Sequence, residues 1–169
     1  MSTPPAGPSE PTDLARALGR IPSGLYILTA RDGPGRSTGM LASWVMQAGF
    51  EPPMLTVAVH RDRYVGSWID ATRRFALNQV PTGNKALIRH FGRGFPEDAP
   101  AFDGPTLRDD LDAGGPILAD ALAYLDCELA GQLDGEGDHR ILLARVVAGG
   151  LLASDAEPLI HVRKNGLHY

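Results

Sequence analysis

Apolar positions along the chain come in short runs punctuated by glycine, proline and aspartate, the pattern of strands joined by turns. Leu25 to Ala30 predicts a first strand, Asp32-Gly33-Pro34-Gly35 a turn, and Ser37 to Val45 the strand returning from it. After a short bend, Pro52-Pro53 opens the apolar, partly β-branched run Met54 to Val59. It reads as a buried strand, since proline is tolerated at a strand start and not in its middle. Phe75 to Val80 predicts another strand. Leu118 to Leu133 has no decisive period, but the turn-like Asp134-Gly135-Glu136-Gly137-Asp138 and the returning run Arg140 to Val147 favour a strand there too. Pro158 to Val162 is the last strand, ended by a turn at Lys164-Asn165-Gly166.

Helical spacing is confined to three short segments. Thr12 or Asp13 caps the first, with Leu14, Ala17, Leu18 and Ile21 on its inner face and Gly19 at its C-terminal cap. Tyr64 to Thr72 turns Val65, Trp68 and Ile69 inward, and Asn84 to Phe91 turns Ala86, Leu87, His90 and Phe91 inward. A long connection rich in glycine, proline and aspartate runs from Gly92 to Pro116. Its Phe95 and Phe102 either fold over a site or anchor the loop to the core. The chain is therefore mainly β with peripheral helices, and without regular βαβ alternation it predicts a closed or partly closed antiparallel barrel.

The 169 residues, 43% of them hydrophobic, suffice for one domain with its own core, expected over residues 12–169. Residues 1–11, rich in proline, serine and glycine, are expected to form a loose tail. With 16 basic against 20 acidic side chains and a net charge of −4, no excess positive charge exists to displace nucleic-acid counterions. No membrane span and no leader segment is visible, which points to a cytoplasmic protein. Cys127 is the single cysteine, too few for a disulfide framework or a multi-cysteine metal site, and the five scattered histidines lack ligand spacing, so no metal is expected.

Glycine-rich nucleotide fingerprints, the phosphate-binding loop, the nucleophile elbow and the zincin motif are all missing. What remains is a set of neutral polar groups. Thr38, Gly39 and Ser43 in the stretch Thr38 to Trp44 leave little bulk, which suits a flat ligand lying against backbone or, equally, an edge strand with satisfied hydroxyls. Arg61 and Arg63 precede a helix start, as in an anion site or a solvated surface. The amides of Asn78 and Gln79 need partners if buried. His139 follows a glycine-rich turn at a strand end. Such a set fits a cofactor that carries its own chemistry.

Gly24 to Thr29, Met40 to Val45, Pro52-Pro53, Phe75 to Asn78 and Gly137-Asp138-His139 together resemble the flavin reductase-like family of FMN-binding split barrels. Met40 to Val59, Gly83-Asn84 with His90-Phe91, Gly115 to Leu125 and Arg163 to Tyr169 resemble more closely the C-terminal flavin reductase domain of diflavin flavodiiron proteins. The resemblance implies a split β-barrel homodimer holding non-covalent FMN, with FAD as the variant flavin, near its interface and reducing it with NADH or NADPH. It further implies an electron-accepting protein such as a monooxygenase or a flavodiiron-type partner. Carried over by position, Thr38, Gly39, Met40, Leu41, Ala42, Ser43 and Trp44 would line the flavin. Arg63 would reach its phosphate, Asn78 would face its ring system, and His139 would position the nicotinamide. Arg61 and Gln79 join the cofactor-binding set, with the role of Gln79 left open because the family often has Asn-Val-Leu where this chain has Asn78-Gln79-Val80. Two other readings are a non-catalytic FMN-binding or electron-relay module and a haem-binding split barrel using His90, His161 or His168.

Overall fold

The structure is a computed structural model that describes residues 10–33 and 35–168. The expected tail lies outside the described residues except for Glu10 and Pro11, as do Pro34 of the first turn and the terminal Tyr169. The described chain runs α1 (Asp13–Gly19), β1 (Ser23–Gly24), β2 (Tyr26–Arg31), β3 (Ser37–Ala42), β4 (Val45–Phe50) and β5 (Pro53–His60). It continues through α2 (Val65–Thr72), β6 (Arg74–Gln79), α3 (Lys85–Phe91), β7 (Ala123–Asp134), β8 (His139–Leu151) and β9 (Ile160–His161).

Seven strands form one antiparallel sheet in the order β3-β2-β6-β7-β8-β5-β4, and β1 pairs with β9 in a separate ribbon. The architecture of the described residues is mainly β with three helices at its periphery, the arrangement that the strand pattern and the split-barrel resemblance imply. Its two edge strands, β3 and β4, are consecutive in the chain and separated only by Ser43 and Trp44. The strand expected from Ser37 through Val45 therefore breaks at residues 43–44. Trp44 carbonyl accepts from Ala58 N, so the chain leaves the β2 side of the sheet and joins the β5 side within two residues.

Inside the sheet, Leu28, Ala30, Val57, Val59, Phe75, Leu77, Leu142 and Ala144 form the main core with Val65 and Ile69 of α2. A second cluster, Ile27, Val80, Leu87, Phe91 and Leu118, covers the opposite face of β2 and β6. Phe95 and Phe102 pack their rings against Phe91, so they act as anchors for the long connection. Cys127 is buried in the main core, where desolvation pushes its thiol up to about 12, leaving it inert as a nucleophile.

Three local expectations change. In α1, Thr12 caps Ala15 N as expected, but the buried residues are Ala15 and Gly19, while Leu14 and Ile21 face outward. The reason is backbone contact: Arg163 N donates to Gly19 O and Gly166 N to Ala15 O, so small residues must occupy that face. Ile88 packs against the second core cluster and Ala86 is exposed. Finally, residues 118–122 form a turn before β7, and β8 runs on to Leu151.

Candidate functional site

At the break between β3 and β4, the end of β5, the start of β8 and the C-terminal segment surround a cleft of about 720 Å3. Its apolar wall comes from Met40, Leu41, Trp44 and Ala58, and its polar rim includes Ser43, His60, Asp62, Arg63, Asp138 and His139. The register explains the convergence, since His60 lies opposite His139 at the shared end of β5 and β8. The Trp44 and His139 rings are 4.7 Å apart and tilted, and His60 meets His139 edge-on at 5.0 Å.

Asp138 organises both imidazoles. His139 Nδ1 is 2.6 Å from Asp138 Oδ1, while His60 Nε2 lies 3.8 Å from Asp138 Oδ2. Asp62 N donates to His60 Nδ1, so neutral His60 carries its proton on Nε2, toward the carboxylate. The hydrogen bond from His139 is the chief cause that holds Asp138 below the usual carboxylate range. With Nδ1–H donating to the Asp138 carboxylate, neutral His139 has Nε2 as its acceptor.

The cations on this rim differ in role. Arg61 clamps the β7–β8 turn, donating to Gly137 O, Gly135 O and Asp134 Oδ1 at 2.8–3.0 Å. Arg63 is exposed, donates only a long bond to Arg93 O, and has no acidic partner among the described residues. Gly94 makes room for it, because a Cβ there would come within 2.5 Å of the guanidinium. Arg163 lies over the Trp44 ring, 5.1 Å from its centroid.

Of the residues expected from sequence, Met40, Leu41, Ser43, Trp44, Arg63 and His139 meet at this cleft. The others do not line it. Thr38 is buried and shares a hydrogen bond with the Tyr64 hydroxyl. Gly39 faces Phe91, whose ring a Cβ would strike at 2.7 Å, and Ala42 belongs to the main core. Asn78 is fully buried: its amide donates to Ile27 O, Thr29 Oγ1 and Pro116 O, and its carbonyl accepts from Leu118 N at 2.8 Å. Gln79 ends β6, where its backbone carbonyl accepts from Leu122 N. His60, Asp62 and Asp138 also line the cleft; the signal for them in the sequence is the turn at 134–138, which faces the polar stretch after β5. For Arg163, Gly166, Leu167 and His168 nothing local in the sequence signals a place in the cleft.

His90 bonds the Ala101 carbonyl through Nε2, an anchoring contact for the long connection. Among the described residues no group of three or more His, Cys, Asp or Glu is placed to hold a metal, and no helix is long and apolar enough to cross a membrane.

The cleft fits a flavin on its own terms. Its volume lies in the ~300–1,000 Å3 range of small-molecule sites. It combines an aromatic and aliphatic wall with Arg63, a cation that has no acidic partner among the described residues.

Comparison with known proteins agrees with this chemistry. A family model for the flavin reductase-like domain matches residues 18–166. Diflavin flavoprotein A 1 of Synechocystis sp. (strain PCC 6803) is 43% identical over 159 residues, covering 94% of this chain; the chain spans 27% of that relative's length. Among solved structures, NADH:FAD oxidoreductase SgcE6 of Streptomyces globisporus C-1027 superposes with a TM-score of 0.79 at 27% identity, over 94% of this chain and 95% of that one. The same protein in complex with NAD and FAD fragments gives 0.75 at 26% identity, over 93% of each chain.

Proposed function

The chain belongs to the flavin reductase-like family, and on that premise we propose that it transfers hydride from NADH or NADPH to a non-covalent FMN held in the cleft at the β3–β4 break. The observation that carries the reading is the convergence of Trp44, His60, His139 and Arg63 on one cleft with an apolar wall. FMN supplies a two-electron acceptor when bound, so the protein's task is to hold two flat rings in register. Met40, Leu41 and Trp44 offer the ring a dry wall, Ser43 a hydroxyl, and Arg63 a cation for the phosphate. Asp138, by holding the Nδ1 proton of His139, presents His139 Nε2 as an acceptor for the nicotinamide amide.

Assembly enters because the cleft opens beside a bare apolar face. Met46 is 72% exposed, and Leu133, Ile141, Leu143 and Val147 are exposed on neighbouring strands. Ala58 lies opposite Ile141 on β8 and also lines the cleft. We propose a two-fold homodimer across this face, which would complete the cleft's cover. FAD in place of FMN, cytoplasmic location, and delivery of electrons to a monooxygenase or flavodiiron-type partner complete the reading, which draws on the diflavin relatives' names and on the NADH:FAD activity named for SgcE6.

NAD(P)H oxidation measured with and without added FMN tests it. Oxidation that depends on FMN supports the reading; FMN bound tightly without any NAD(P)H oxidation would make the protein a non-catalytic flavin module.

A further inference from the structure

Charge is unevenly distributed over this net-acidic chain. Where the C-terminal segment crosses α1, a groove of about 520 Å3 is lined by Arg16, Arg20, Arg163 and Lys164, with Pro11 and Val162 the remaining walls. Backbone contacts build it: Arg163 N bonds Gly19 O and Gly166 N bonds Ala15 O. A Cβ on Gly19 would meet Arg163 O at 2.5 Å and one on Gly166 would meet Leu18 Cβ at 2.3 Å, so the two segments touch only because both are glycine. The glutamate and aspartate near Arg16, Glu10 at 3.5 Å and Asp13 at 4.0 Å, both point into solvent, and among the described residues Arg20 and Lys164 have no carboxylate within ion-pair distance.

Arg20 and Lys164 face this groove together with Arg16, whose two carboxylate neighbours are exposed, and an anion with several charges relieves the repulsion among them. The groove is concave and small, the shape for a compact polyanion. Arginine forks match phosphate oxygens in pairs. Its position narrows the class further, because Arg163 is a wall of this groove and of the cleft. An anion bound here lies one side chain away from whatever occupies the cleft.

We propose that this groove binds the diphosphate and adenylate half of the nicotinamide dinucleotide, while the nicotinamide end enters the cleft; the inference rests on the proposed reaction of that cleft. Arg20 and Lys164 are then specificity residues that distinguish a dinucleotide from its nicotinamide mononucleotide half.

The probes are ADP-ribose, which has the diphosphate and adenosine without the nicotinamide, and reduced nicotinamide mononucleotide, which lacks the adenylate half. Calorimetric titration of the purified protein should show ADP-ribose binding that weakens several-fold between about 50 mM and about 300 mM salt, as screening shortens the reach of exposed cations. In the double variant Arg20→Gln, Lys164→Gln, ADP-ribose affinity should fall roughly tenfold. The ratio of kcat/KM for NADH to that for the reduced mononucleotide should fall by a similar factor. Salt-insensitive or absent ADP-ribose binding in the wild type, or an unchanged ratio in the variant, overturns the proposal. The two readings fail separately: NADH oxidation without ADP-ribose binding removes the groove alone, whereas salt-sensitive, variant-sensitive ADP-ribose binding without oxidation of either donor removes the reaction and keeps an adenylate site.

Discussion

The two halves of the barrel treat polar groups in opposite ways. In β2 and β6 both faces of the sheet are covered, one by the main core and one by α3 and the long connection, and four consecutive residues of each strand are buried. Polar side chains there are tied to backbone: Thr29 donates to Pro116 O at 2.8 Å, and Asn78 bonds both strand and connection. In β5 and the first half of β8 only one face is covered and buried positions alternate with open ones, the edge strand β4 has no buried residue, and polar groups at the strand ends face a cleft. The contrast separates two uses of the same residue types. A polar group with all its partners inside the fold fixes the fold, while one whose partners are incomplete is available to a ligand.

Substitution in the covered half should cost most stability. Asn78→Ala leaves the buried Leu118 N without its partner and opens a void, while Pro116 O keeps its bond from Thr29 Oγ1, so a loss of about 3 to 4 kcal/mol is expected from the orphaned donor and the void together. Urea denaturation checks it. FMN affinity under native conditions should stay near the wild-type value, and a large loss of FMN with little change in the urea midpoint would move Asn78 to the other side of the comparison.

On the bare half, Ile141→Asp combined with Leu143→Asp places charges on the open apolar face and should leave a folded monomer at micromolar concentration. Light scattering reads the mass, with the urea midpoint of the protomer as the control. A dimer that survives both substitutions would assign that face to something else.

Arg63→Ala should weaken FMN by about ten- to a hundredfold and riboflavin little, because a charge-assisted bond to phosphate contributes roughly 1.5 to 3 kcal/mol. Equal losses in parallel titrations would take Arg63 away from the phosphate.

The smallest effect concerns His139. His139→Ala removes one hydrogen bond of about 1 kcal/mol, which raises the KM for NAD(P)H several-fold with FMN affinity nearly intact. Stopped-flow reduction separates the two. Acidification adds a check with a defined sign: Asp138 is held below the ordinary carboxylate range, chiefly by its bond with His139. That contact is fully present above the ordinary value of about 4 and is lost only as pH falls through the lowered one. The His139 ring signals should therefore show the Asp138 bond intact at pH 5, and its loss there would contradict the geometry.

Much of this arrangement is legible from local pattern. The inward faces of α2 at Val65, Trp68 and Ile69, strand β6, and the turn between β7 and β8 all follow from spacing and turn residues. The break at Ser43 and Trp44 does not, because no glycine or proline marks it; it arises where the curved sheet brings β3 and β5 together. Asn78 announces by its type that it needs partners, yet those partners lie 38 and 40 residues away in the long connection, beyond any local signal. Arg163 enters the cleft through backbone bonds to α1, at the far end of the sequence. Non-local closure accounts for each omission.

The two-residue link at Ser43 and Trp44 gives the barrel a seam, and the cleft lies along it. The edge strands on either side have one paired neighbour each, so the slowest-protected breathing motions of the sheet should begin here, not in the doubly covered β2 and β6. A molecule seated across such a seam acts as a clasp: it binds the closed form and not the opened one, and so raises the free energy of opening by mass action. Occupancy of the cleft and integrity of the sheet edge are thereby the same equilibrium seen from two ends.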